Sequence, residues 1–209
     1  MPPNYDRNVF INCPFDAAYR PLFEAVTFAV YDCGFYPRSA LEVEDSTQVR
    51  IEKIQNIIRE SRLAVHDISR TQLDAAHRLP RFNMPLELGI FLGAKAFGSR
   101  EQKRKAAIVL DTQPFRYQKY ISDIAGQDIR AHDRKPAEAV RQVRNFLANQ
   151  REEGSILPGG DKLVERYESF RRGLPSACRE AHLNPEKLTF RDLTSMVVSF
   201  LAIDSPKPV

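Results

Sequence analysis

Glu87 is the only ionisable residue between Arg81 and Lys95. It stands in Asn83-Met84-Pro85-Leu86-Glu87-Leu88-Gly89-Ile90-Phe91-Leu92-Gly93-Ala94, a segment apolar nearly all round, and shares a helical face with Phe91 and Ala94. Such a helix is expected to be largely buried, where an unpaired carboxylate is costly. Two readings account for it. One is an ion pair or hydrogen bond to a neighbouring loop, with Arg70, Arg78 and Arg81 as candidates. The other is catalysis, because a carboxylate held in an apolar cleft can stabilise a developing positive charge or attack an electrophilic carbon. Gly89 and Gly93, four apart, admit a ligand or a second backbone, although close helix–sheet packing is their commoner use.

Two further segments carry polar groups next to apolar runs. His66-Asp67-Ile68-Ser69-Arg70 ends one run, and an aspartate there could take ribose hydroxyls or cap the following turn. His66 reads as a packed or loop-facing histidine. Asn12-Cys13-Pro14-Phe15-Asp16 ends another run and offers a polar floor plus an aromatic, suited to a base or nicotinamide ring. It is not a glycine-rich phosphate loop, which argues against a Rossmann or P-loop cofactor site. A nucleophilic role for Cys13 lacks a His–Asn constellation. The four histidines (His66, His77, His132, His182) show no metal-ligand spacing, and Cys13, Cys33 and Cys178 are too few and scattered for a disulfide framework or zinc site. No metal and no resident cofactor are expected.

The elements that must position these residues alternate. Strands are expected at 9–13, 35–41, 63–68, 106–110 and, briefly, 129–132. Helices are expected from Asp16 to a C-cap at Gly34, and from an N-cap at Ser46 through Ile58. A third should run from Asn83 as cap to Phe97, with Pro85 in its first turn and Gly98 as its stop. Pro114–Ile124 should hold a helical segment, and Pro136–Gln150 a helix with Val140, Val143, Phe146 and Leu147 on one face. This order implies α/β architecture: a five-stranded parallel, doubly wound, flavodoxin-like sheet over residues 1–151. Ligands then sit beyond the strand carboxyl ends, after Cys13, Leu41, Ile68 and Leu110. Past Leu157-Pro158-Gly159-Gly160 no strand pattern survives. Residues 152–209 read as a helical appendage: 161–173, 175–182, and a last helix from Thr189 with Asp192 as a capping-box partner. Its stripe Phe190, Leu193, Val197, Phe200 and Leu201 should dock on the α/β domain or on a second copy.

The 209 residues suit one domain plus an appendage, and 43% hydrophobic with 28% charged residues suits a globular protein. No transmembrane run and no signal-peptide core are apparent, so a cytoplasmic protein without membrane contact is expected. Residues 99–151 carry 12 basic and 6 acidic groups and hold all of the positive excess. Lacking an RNA-binding motif, a zinc finger or aromatics arranged for stacking, that excess predicts no specific nucleic-acid site.

The strand ends Asn12-Cys13-Pro14-Phe15-Asp16 and His66-Asp67-Ile68-Ser69, followed by Asn83-Met84-Pro85-Leu86-Glu87-Leu88-Gly89, resemble the TIR-like and nucleoside 2-deoxyribosyltransferase-like superfamily across roughly residues 8–135. The resemblance implies a catalytic role for Glu87 and nucleoside binding by Asp67 and Ser69. Asn12, Cys13, Pro14, Phe15 and Asn83 complete the expected substrate-binding set. The deoxyribosyltransferase branch carries another acidic residue a few positions before the glutamate; here the nearest is Asp74, 13 residues upstream. The motif is most similar to bacterial TIR-like proteins, which the resemblance places among NAD-degrading defence effectors acting as homo-oligomers or beside an activating partner.

The chemistry favours the same substrate. Cleaving a ribosyl–base bond passes through an oxocarbenium-like state. Nicotinamide leaves NAD as a neutral molecule and needs no acid, so one carboxylate suffices; a neutral purine nucleoside usually needs protonation. The expected function is NAD glycohydrolysis, with NAD as substrate. The alternatives are a deoxyribosyltransferase or N-glycosidase acting on nucleosides or nucleotides, and a non-catalytic module binding a nucleotide signal or a protein.

Overall fold

Five short segments form one parallel sheet: β1 Asn8–Asn12, β2 Tyr36–Arg38, β3 Leu63–Asp67, β4 Ala106–Asp111 and β5 Arg130–Ala131, ordered β2-β1-β3-β4-β5. With helices on both faces this is the flavodoxin-like arrangement. The computed structural model describes residues 5–42, 45–73, 78–151 and 154–204; Asp74 and His77 lie outside them. Among the described residues no helix is long and apolar enough to cross a membrane.

Strand alternation divides the core. Val9, Ile11, Leu63, Val65, Ile108 and Leu110 pack with α1 (Arg20–Asp32) and α4 (Pro136–Ala148), whereas Phe10 and Ala64 pack with α2 (Arg50–Arg59) and α3 (Asn83–Phe97). The tail forms α5 (Gly160–Glu180) and α6 (Phe190–Asp204), which pack on α1 and α4. Phe190, Leu193 and Val197 are buried in the same cluster as α1, and Phe200 and Leu201 rest against it. The stripe on α6 therefore docks on the α/β layer of its own chain.

Several boundaries differ from those the sequence suggests. α1 begins at Arg20, because Asp16 first closes a turn onto the Tyr19 N–H at 3.2 Å. It ends at Asp32 with Cys33 as its cap, one residue before the expected Gly34, whose φ of +81° lets Gly34 N–H reach Tyr31 O and Phe35 N–H reach Val30 O. β2 stops at Arg38, where Arg38 pairs with Glu42 and Glu60 and the chain turns. α2 starts at Arg50 rather than after Ser46, since Asp45 draws the Thr47 N–H and hydroxyl into a local turn at 2.9 and 2.7 Å. The segment before β5 holds two 3-10 turns, Arg116–Lys119 and Ser122–Ile124. The two helices expected around Pro175 are one. Leu163, Tyr167, Phe170, Leu174 and Cys178 keep a single buried stripe through the proline, and that packing outweighs the missing N–H. The capping box of α6 is present: Asp192 N–H donates to Thr189 Oγ1 at 3.1 Å and Thr189 N–H to Asp192 Oδ2 at 3.0 Å.

Candidate active site

The N-cap of α3 lies one residue earlier than expected: Phe82 takes that place, and Asn83, the first helical residue, is exposed and makes no capping bond. Its first turn is instead braced from β1. The Asn12 amide donates to Met84 O at 2.8 Å and lies 2.9 Å from His66 Nδ1. Asn12 is thus a buried strut between strand and helix. His66 is fully buried between the Phe10 and Phe91 rings, and burial holds its pKa down at about 3, so it is neutral and packed as expected.

The helix is less covered than its composition suggests. Met84, Glu87, Leu88 and Phe91 are buried, while Leu86 and Phe97 stand exposed. Glu87 is 8% exposed, and among the described residues no hydrogen bond or ion pair reaches it. Arg70, one of its candidate partners, pairs with Asp16 at 3.1 Å instead. Desolvation raises the Glu87 pKa from 4.5 to about 7, and the nearby Arg50 offsets this only in part. Placement near a helix N-terminus would favour the ionised form, but Glu87 is the fifth helical residue and burial dominates.

Asp67 meets a different environment. It continues the Leu63–Val65 side of β3, toward α1 and α4, and is 1% exposed. Its Oδ2 accepts from the Tyr19 hydroxyl and lies 3.0 Å from His132 Nε2; its Oδ1 accepts from Ser69 N–H at 2.8 Å. His132 Nδ1 accepts from Arg134 N–H at 2.9 Å, and its Nε2, close as it is to the carboxylate, makes no aligned hydrogen bond among the described residues. Asp67, expected to open into the cleft, is held inside this network, and the turn-capping reading describes its Ser69 contact. The alternation rule gives the reason: His66, not Asp67, shares the α3 side of the strand.

Cys13 lies between the two carboxylates. Burial raises its pKa well above the usual thiol value, with the charges of Asp67, Glu87 and Asp16 adding to the shift. A thiol so placed is not an activated nucleophile. It does show that Glu87, Asp67 and Asp16 converge electrostatically on the end of β1.

Two cavities open beside these strand ends, and neither is lined by Glu87. Pro14 and Phe15 border one of about 270 Å³, closed on its other side by Leu188, Phe190 and Leu193. There Phe15 rests edge-on against Phe23 at 5.5 Å. Ser69 borders the other, about 310 Å³, with Tyr19, Arg70, Gln72, Thr112 and Arg134. The expected site residues therefore separate. Asn12 is buried against the first turn of α3, Cys13 is packed in the core on the α1 side, Pro14 and Phe15 face the tail, and Ser69 faces the cavity over β3 and β4.

Residues the sequence reading did not single out complete the rim. Asp111, at the carboxyl end of β4, is fully buried and binds Arg116 (Nε at 2.8 Å), Thr112 N–H at 2.6 Å and the Tyr120 hydroxyl at 2.9 Å. Arg116 in turn donates to Ser69 O at 2.8 Å and Thr71 Oγ1 at 2.6 Å, tying the loop after β3 to β4. The signal for Asp111 was available, since it ends β4 as Asp67 ends β3. Tyr19 and His132 carried none, because their relation to Asp67 exists only in space. Among the described residues no cluster of His, Cys, Asp and Glu has the arrangement of a metal site. Compared with known protein families, characterised proteins and solved structures, the chain shows no significant match to any of them.

Proposed function

We propose that the chain hydrolyses the nicotinamide–ribose bond of NAD, with Glu87 as the carboxylate that meets the oxocarbenium-like transition state. The observation that carries this reading is a buried glutamate that has no hydrogen bond or ion pair among the described residues, at the carboxyl end of a parallel sheet. Such a group raises the energy of the folded state, and a cationic ligand removes that cost. A pyridinium riboside is such a ligand. Its charge moves onto the sugar as the base leaves, so a carboxylate beneath the ring binds the transition state more tightly than water does.

Two further features support a dinucleotide over a bare nucleoside. Arg70 and Arg134 line the cavity over β3 and β4 with Ser69 and Thr112, a lining suited to phosphate. Tyr19, a group able to protonate a neutral base, commits its hydroxyl to Asp67, and His132 Nε2 lies 3.0 Å from the same carboxylate. Asp67 acts here as a positioning residue that fixes the loop carrying Ser69, rather than as a ribose ligand. A role in defence or toxicity, and assembly into a homo-oligomer or with an activating partner, belong to this proposal through the superfamily resemblance.

The deciding experiment incubates the pure protein with NAD and, separately, with a deoxynucleoside mixture, and follows free base by chromatography. Nicotinamide release that is lost in Glu87→Gln supports the proposal. Base release from deoxynucleosides but not from NAD replaces it with the glycosyltransfer reading. Equal release by parent and Glu87→Gln removes Glu87 from the chemistry.

A further inference from the structure

At the opposite end of the sheet, the amino ends of the strands surround a cavity of about 640 Å³. Its walls come from residues just before β1 (Asp6, Arg7), β2 (Cys33, Gly34, Phe35), β3 (Arg62) and β4 (Arg104), and from Gln150, Arg151 and Ser155 beyond α4. Its volume is that of a small-molecule site.

The charges are one-sided. Four arginines face a single described carboxylate, Asp6, whose Oδ1 lies 3.2 Å from Arg62 Nε and 2.6 Å from Arg104. The remaining partners are uncharged. Arg7 donates to Gly34 O, Arg151 to Cys33 O at 3.2 Å and Ser155 Oγ at 3.0 Å, and Arg62 to the Gln150 side chain at 3.1 Å. The carbonyl ends of α1 and α4 contribute about half a negative charge each. Among the described residues, about two positive charges stay uncompensated around the cavity. Burial depresses the Arg62 pKa; Asp6 opposes that shift, and Arg104 adds a smaller push in the same direction as burial.

The guanidinium groups are also fixed in place. Each is tied by a carbonyl, hydroxyl or carboxylate oxygen, and each planar fork presents more N–H groups than those oxygens occupy. Arg7 and Arg151 converge at Gly34: a Cβ there would lie 3.8 Å from the first and 3.6 Å from the second. Capping two helix ends needs only one or two donors, whereas four forks on one polar cavity match an anion with several oxygens.

We propose that this cavity binds a small anion carrying two linked phosphate groups, either free pyrophosphate or the diphosphate of a nucleotide, at a site separate from Glu87. The inference stands on these residues alone and does not depend on the reaction proposed above.

Calorimetric titration of the full chain at fixed ionic strength tests it, with inorganic pyrophosphate, inorganic phosphate and ADP as probes. Pyrophosphate should bind at least about tenfold more tightly than phosphate. ADP binding as tightly as pyrophosphate assigns the site to nucleotides; weaker ADP binding assigns it to the free anion. Arg104→Gln and Arg151→Gln alter side chains at the surface and should each weaken pyrophosphate about tenfold without lowering the melting temperature by more than a few degrees. Asp6→Asn removes the opposing charge and should tighten binding, a gain that unfolding cannot imitate. The proposal fails if millimolar pyrophosphate gives no heat with the parent protein. It also fails if both arginine variants bind undiminished, if Asp6→Asn does not tighten binding, or if sulfate binds as tightly as pyrophosphate.

Discussion

Replacing Glu87 by glutamine should make the protein more stable while removing its proposed activity. The folded state holds the Glu87 carboxyl at a pKa of about 7 against an ordinary 4.5, because burial penalises the charge, the nearby Arg50 offsets only part of that, and no described residue pairs with it. At pH 8 the group is ionised in both states, so this shift opposes folding by about 3 kcal/mol at most. The direction follows from proton uptake: below pH 4.5 the carboxyl is neutral folded and unfolded, and no penalty exists. The penalty grows between pH 4.5 and about 7 and is constant above. Glutamine keeps the shape and carries no charge. Glu87→Gln should therefore melt on the order of 5–10 °C above the parent at pH 8, with the difference shrinking to near zero at pH 4.5. Calorimetric scans of both proteins at matched ionic strength from pH 4.5 to 8.5 measure it. NAD turnover on the same preparations should fall by about 10²–10³ or more. A variant less stable than the parent at pH 8 refutes the reasoning, since it would mean that a stabilising partner holds the glutamate.

The remaining expectations concern the surroundings of that residue. If the ionised form of Glu87 is the working one, kcat/KM for NAD should rise with pH around a midpoint near 7; a flat profile from pH 6 to 8 contradicts this. Asp67→Asn should destabilise the fold by about 3–5 kcal/mol in urea titrations, because the Tyr19 hydroxyl and the Ser69 N–H lose their shared carboxylate acceptor; a neutral effect would show the network to be dispensable. Phe170→Ala should cost about 3–5 kcal/mol, since this fully packed ring stacks on Phe28 at 5.4 Å; a loss below 1 kcal/mol would mean the tail contributes little to the core. Cys13 should resist thiol reagents in the folded protein and react on unfolding, and rapid native labelling, located by mass spectrometry, would overturn its assignment as a packed residue.

Much of the architecture was legible in the sequence because it rests on local chemistry. Short, nearly continuous apolar runs made the central strands, and the glycine at position 34 and the Thr189–Asp192 pair closed helix ends through bonds between near neighbours. The isolated charge of Glu87 was equally visible, being a contrast within one helical segment. Boundaries shifted where a side chain found a local partner that apolar periodicity does not register, as at Asp16 and Asp45. Pro175 misled for the opposite reason: the long-range packing of α5 overrode a local preference.

The tertiary structure alone decided what each polar group does. Asp67 and His66 are adjacent in sequence, yet the pleat sends one toward Tyr19 and His132 and the other toward Asn12 and α3. Arg7, Arg62, Arg104 and Arg151 are scattered through the chain and meet only because parallel strands bring all their amino ends to one edge of the sheet. Sequence spacing carries burial and local bonding. Which charges lack a partner is a property of contacts between distant segments, so Glu87 could be noticed from the sequence, but its isolation could be established only in the fold.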